Sequence, residues 1–290
     1  MTGYRTILAC LSDADTAPAT LGLALLVGRN HAAHIEALHV RIDPASAIPL
    51  VGEGMSGAMV EEMLTVAEKQ ATERAQGIRA LFDKICTSEG VDQAEAPFSD
   101  PRLSAHWREE IGREEEVLAE TGRLSDLLVL ARPMPESDVP SIMTLNAALM
   151  ESGRPLLLAP PTLPASVGRK VAVFWNGSIE AARAVGAALP FLRQADEVVI
   201  LSAREEEATS PGELVKYLAW HGVSASKHCF PASSAAGGQV AQILLDEAVT
   251  RGADLVVMGA YTHSRLRQLI MGGVTRHVLH FAKLPVLLCH

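Results

Sequence analysis

The chain has 290 residues, of which 48% are hydrophobic and 20% charged, and its net charge is −9. That length holds two ordinary domains, and that composition excludes wholesale disorder. The acidic balance, with no basic run to offset it, argues against a nucleic-acid partner, whose affinity comes mainly from Lys and Arg neutralising phosphates.

No apolar run reaches the roughly 18 residues that a membrane helix needs, so no membrane partner is expected. Cys10, Cys86, Cys229 and Cys289 are dispersed and form no C-x-x-C pair, which fits a reduced compartment. The first residues run into a strand-like pattern with no apolar leader stretch. A cytoplasmic protein is the expectation.

In chain order, residues 6–11 form the first β-rich run. A polar turn at Ser12 and Asp13 leads to a helical stretch at 16–29, and a second apolar run follows at 34–42. Residues 54–81 belong to a long insert. Met59, Met63, Val66, Lys69 and Gln70 within it suggest a long helix with a charged face, packed over a sheet edge or serving as a lid or dimer contact. Further strands are expected at 93–97, 127–131 and 155–159. Prolines at 160, 161 and 164 read as a short, stiff linker.

The pattern then begins again. A β-rich run at 170–174 is followed by a polar turn at Asn176 and Gly177, an Ala-rich helix at 178–192, and strands at 197–202, 225–230, 255–259 and 285–289. Residues 125–131 match 253–259, and residues 154–159 match 284–289, in the same order. The chain reads as one domain repeated, residues 1–162 and 166–290. Short apolar runs alternating with amphipathic stretches imply βαβ units and a sheet covered on both faces. The fold expected is α/β, with two tandem, doubly wound, five-stranded parallel-sheet domains of Rossmann-like type.

The most specific motif lies near the C-terminal end. A buried run, 255–258, breaks at Gly259; thirteen residues later Gly272 and Gly273 precede a helical pattern that starts at Val274. Glycines let a backbone approach an anion closely, and free N–H groups at a helix start point towards it. This spacing resembles the G-x-x-G-x9-G-[S/T] motif of the universal stress protein family. Thr262 stands where the family has its second glycine, and Gly273 where it has Ser or Thr.

The resemblance implies an adenine nucleotide alpha hydrolase-like fold and a cytoplasmic stress-response protein, often dimeric, with ATP-binding and non-binding subtypes. It implies ATP, with Mg as its counter-ion, at Gly259, Thr262, Gly272, Gly273, Val274 and Thr275; from the residues themselves, Arg265, Arg267 and Arg276 are each a phosphate partner or a solvated charge. Asn176, where the family usually carries Asp, and Gly177 would meet the adenosine part, and Leu201 and Ser202 would offer backbone contacts to adenine. Homodimerisation, or pairing of the two domains through their last strands, is a further implication.

The first half lacks the loop. Residues 132–143 contain three prolines and no glycine, and Glu136 and Asp138 would repel phosphate. Asp13 is a family-like acidic residue or an N-cap. No catalytic residue is expected: His263, Ser264 and Arg265 lack an identifiable orienting carboxylate. His277, His280, Cys289 and His290 match no zinc spacing, so no metal site is expected. Glu114 to Glu116 and Glu205 to Glu207 read as solvated charge runs. The alternative to nucleotide binding is an interaction scaffold in which both halves are degenerate.

Overall fold

The structure is a computed structural model that describes residues 3–43, 57–133, 140–203, 210–230, 237–261 and 273–290. The first half contains β1 (Thr6–Cys10), α1 (Ala17–His31), β2 (His34–Arg41), α2 (Gly57–Glu89), β3 (Asp92–Gln93) and β4 (Ser104–Ile111). It continues with α3 (Glu114–Gly122), β5 (Leu127–Ala131), α4 (Ile142–Glu151) and β6 (Leu156–Ala159). The second half contains β7 (Lys170–Phe174), α5 (Ile179–Leu192), β8 (Glu197–Ser202), α6 (Pro211–Trp220) and β9 (Ala225–Cys229). It closes with α7 (Gly237–Thr250), β10 (Leu255–Gly259), α8 (Gly273–Phe281) and β11 (Val286–Cys289).

Among the described residues, all the strands belong to one sheet, ordered β3-β4-β2-β1-β5-β6-β11-β10-β7-β8-β9. Neighbours are parallel throughout except β6 and β11, which meet antiparallel with Leu156 opposite Leu288, Leu157 opposite Leu287 and Leu158 opposite Val286. The two halves therefore pair through their last strands, as the resemblance implies. The leucines at this seam are buried, and each contributes about 1.5–3 kcal/mol by leaving water.

Helices cover both faces, which is why runs such as β5 are apolar at every position. One layer holds α1, α2, α5 and α6 through Leu23, Phe82, Val185 and Leu218; the other holds α3, α4, α7 and α8 through Leu118, Leu145, Leu244 and Val278. Both cores run without interruption from one half into the other. Tyr4 reinforces the junction. Its hydroxyl donates to the Ala187 carbonyl at 2.6 Å, and its ring packs against Phe191 and His31.

A repeated device fixes the strand order. Asp126 accepts from the backbone N–H groups of Arg5 and Thr6 at 2.7 and 3.0 Å, tying the start of β5 to that of β1. Asp254 does the same for Arg169 and Lys170 at 3.2 and 3.0 Å, and also accepts from the Ser166 hydroxyl.

The third strand of the first half is not where the sequence suggested. Residues 93–97 give only the tail of the two-residue β3, and the main strand is β4, Ser104–Ile111. Its sequence SAHWREEI carries charge because one face of this flank is polar: Arg108 pairs with Glu36 on β2 and with Glu110. The second half has the expected five strands, and the first carries β3 in addition. The long insert is helical as expected. In α2 only Ala75, Ile78, Phe82 and Cys86 are buried, all in its C-terminal part.

Candidate functional site

In each half the order of the strands reverses between the first strand and the inner strand beside it. These are β1 and β5 in the first half and β7 and β10 in the second. Ligands in open α/β sheets bind beyond the C-terminal ends of the strands at such a reversal. Because β6 and β11 are antiparallel, the two crevices open at opposite ends of the sheet.

In the second half the crevice begins at Trp175, whose N–H donates to the Leu201 carbonyl at 2.9 Å. Leu201 is fully buried in β8, with its carbonyl held by that bond at the end of β7. Asn176 follows, and its side-chain oxygen accepts from the Ser178 N–H at 3.1 Å. Gly177 has φ of 74°, a left-handed conformation that a side chain disfavours, and Ser178 then caps α5 through the Ala181 N–H.

Gly259 ends β10 on the other side. A Cβ there would lie 2.4 Å from the Ala181 nitrogen and 2.6 Å from the Glu180 carbonyl carbon. The glycine is thus required by the close approach of the first turn of α5, which brings the ends of β7 and β10 together. After Ala260, Tyr261 takes φ of 64°, and its N–H donates to the Thr275 hydroxyl at 3.4 Å. Its phenol donates to Asn146 on α4, and burial pushes its pKa up to about 12. Thr262, His263, Ser264, Arg265, Arg267 and Gly272 lie outside the described residues, as do Glu136, Asp138 and Glu205 to Glu207.

The helix start expected at the double glycine is present. Gly273 opens α8 and is exposed, Val274 is half-buried, and Thr275 is buried with its hydroxyl facing Tyr261. A second helix start lies against it: a Cβ on Gly273 would come within 3.3 Å of the Gly237 α-carbon. The N-termini of α7 and α8 therefore converge through glycines, and both helices direct the positive ends of their dipoles to the same region. Arg276 is exposed on the first turns of α8. The expected residues Asn176, Gly177, Leu201, Gly259, Gly273, Val274 and Thr275 thus gather around the ends of β7, β8 and β10. The donor set, backbone N–H groups without bulk, fits a phosphate group.

The equivalent crevice of the first half is filled by the protein itself. Glu114, at the start of α3, accepts from the Ser12 hydroxyl, from the Cys10 thiol at 3.1 Å and from the Thr144 hydroxyl at 3.3 Å. Its carboxylate thus stands between the end of β1 and the first turn of α4, where the helix dipole favours negative charge. Burial, with Glu114 beside it, pushes the Cys10 thiol well up. Asp13 holds the turn before α1: one carboxylate oxygen accepts from the Asp15 and Thr16 N–H groups at 2.8 Å each, and the other accepts from the Thr16 hydroxyl. The expectation that Glu114 to Glu116 are all solvated is corrected for Glu114. Glu115 and Glu116 do pair with Arg113 at the surface.

The four cysteines are free, with Cys10, Cys86 and Cys289 buried. Among the described residues, no group of three or more His, Cys, Asp or Glu gathers as metal ligands, and no helix is long and apolar enough to cross a membrane.

The comparisons with known proteins agree with this geometry. Residues 230–290 match the model of the universal stress protein family. No curated protein matches the chain in sequence. Among solved structures, a universal stress protein from Archaeoglobus fulgidus is similar in fold, with a TM-score of 0.63 at 16% identity, over 98% of this chain and 97% of that one. A protein of Pseudomonas aeruginosa UCBPP-PA14 described as a candidate universal stress protein gives 0.56 at 15% identity, over 99% and 93%. A functionally unknown protein from Pseudomonas aeruginosa PAO1 gives 0.57 at 14%, over 99% and 92%. Residues 230–290 therefore resemble the universal stress protein family, and the chain as a whole has the fold of tandem proteins described as its members.

Proposed function

We propose that this chain is a cytoplasmic stress-response regulator that binds one adenine nucleotide, ATP with Mg as its counter-ion, at the strand ends of its second half. The observation that carries this reading is the asymmetry between the two crevices. In the first half Glu114 holds a carboxylate against Ser12 and Thr144, which excludes a phosphate by charge and by volume. In the second half the corresponding region is framed by Gly177, Gly259, Gly237 and Gly273, with two helix N-termini converging on it. Gly272, Thr262 and Arg265 complete the site in this reading. No residue is proposed as catalytic; the role is binding and signalling.

The test is a calorimetric titration of Mg·ATP into the full-length protein. One site per chain is expected, and Gly272→Val should abolish the heat while leaving the circular dichroism spectrum unchanged. Equal heats from the two proteins would remove the loop from the site.

A second reading, an interaction scaffold without nucleotide, draws on two observations. The Asn176 amide oxygen is already used by the Ser178 N–H, and the Thr275 hydroxyl already accepts from Tyr261. It predicts no heat with ATP under any condition.

A further inference from the structure

Helix α2 carries two apolar stripes. One of them, Ala75, Ile78, Phe82 and Cys86, is buried against the sheet. The other is Met59, Met63 and Val66, prolonged by the polar Gln70, at steps of four, three and four residues. At 100° per residue the second stripe is centred roughly 135° around the helix from the first, so it does not extend the core face. Met59, Met63 and Val66 are 54%, 50% and 49% exposed. With Glu62 and Ala67 they line a shallow depression along the helix.

We propose that this stripe is the docking surface for the same stripe of a second copy of the chain, the two helices lying antiparallel. The steps of four and three are those of a coiled-coil seam. Glu62 and Lys69 flank the seam on one side, one heptad apart. Antiparallel pairing sets Glu62 of each copy against Lys69 of the other, two attractive contacts related by a two-fold axis. Parallel pairing would bring no such contact. Among the described residues, Lys69 makes a loose, exposed contact with Glu73 at 3.9 Å, which it can exchange. The more obvious route to a dimer is closed: the edges of β6 and β11 are already paired within the chain.

The seam covers about three helical turns, well below the size of a permanent interface. The dimer is therefore weak, and self-association responds to protein concentration.

Sedimentation velocity of the full-length protein over a concentration series tests this, with thermal melts to verify folding of each variant. These positions are exposed, so the variants should melt like the wild type. Met63→Glu or Val66→Glu should raise the dimer dissociation constant at least roughly a hundredfold. Glu62→Lys alone, or Lys69→Glu alone, should raise it roughly tenfold, and the two together should restore it. A wild type that stays monomeric at every concentration overturns the proposal and leaves the stripe to a different protein. A dimer indifferent to Met63→Glu overturns it too. Single charge reversals that weaken the dimer without rescue by the pair overturn the antiparallel arrangement.

Discussion

Tyr261 in the second half donates its phenolic hydrogen to Asn146 on α4 of the first half. The mirror contact runs from Arg132, at the exit of β5, to the Ala282 carbonyl at the end of α8. β10 and β5 thus each anchor their exits on the last helix of the other half. Tyr261→Phe should lower stability by about 1 kcal/mol, since Asn146 loses its partner. If the second crevice takes nucleotide, the same change should weaken ATP binding, because the chain at 261 would no longer be held from both sides. Unchanged affinity would separate this contact from the site.

Gly259→Ala tests the close approach that builds the crevice. The added carbon would fall 2.4 Å from backbone nitrogen of Ala181, which cannot rotate away as a side chain could. A loss of about 3 kcal/mol or more is expected in urea unfolding. Gly186→Ala is the control, because nothing lies within 4 Å of its added carbon; it should be neutral or slightly stabilising.

Glu114→Ala removes the carboxylate that closes the first crevice. Ser12 and Thr144 would lose their charged partner, at a cost of about 1–3 kcal/mol in thermal or urea unfolding. Nucleotide stoichiometry should not change, because the binding site belongs to the other half. A loss of ATP binding without a loss of fold would mean that the two crevices had been assigned the wrong way round.

Stability should fall on acidification through His31. Burial first, and Arg5 second, lower its pKa below the usual value of about 6.5. The folded state therefore favours neutral imidazole, while the unfolded chain takes up a proton. The stabilisation is complete above about 6.5 and is lost as pH falls through the lowered folded value. His34 shifts in the same direction, chiefly by burial, so His31→Leu should reduce the slope without abolishing it. Urea midpoints at pH 7.5 and 5.5 measure this, and identical slopes in the two proteins would exclude His31.

Much of this fold could be read from residue patterns because both faces of the central strands are covered. A run such as LLVLA has no polar position to confuse it, and Leu127–Ala131 begins and ends where expected. The same rule misplaced β4, whose polar face follows the opposite pattern. The halves were recognisable as repeats because Asp126 and Asp254 do the same work in both. Side-chain convergence was less visible. Nothing in the order of residues relates Ser12 to Glu114, 102 positions away. The only hint is an acidic residue opening a helix, which a solvated face explains equally well. Likewise, Gly259 was legible as part of the loop motif, but the close approach of α5 at Ala181 was not.

The most direct measurement is to denature freshly purified full-length protein and chromatograph the released small molecules, then to titrate ATP into stripped, refolded protein. One adenine nucleotide per chain, either released or restored on titration, is the predicted result. Two per chain would contradict the closure of the first crevice by Glu114. None released and none bound would contradict nucleotide binding by the second half and favour the scaffold.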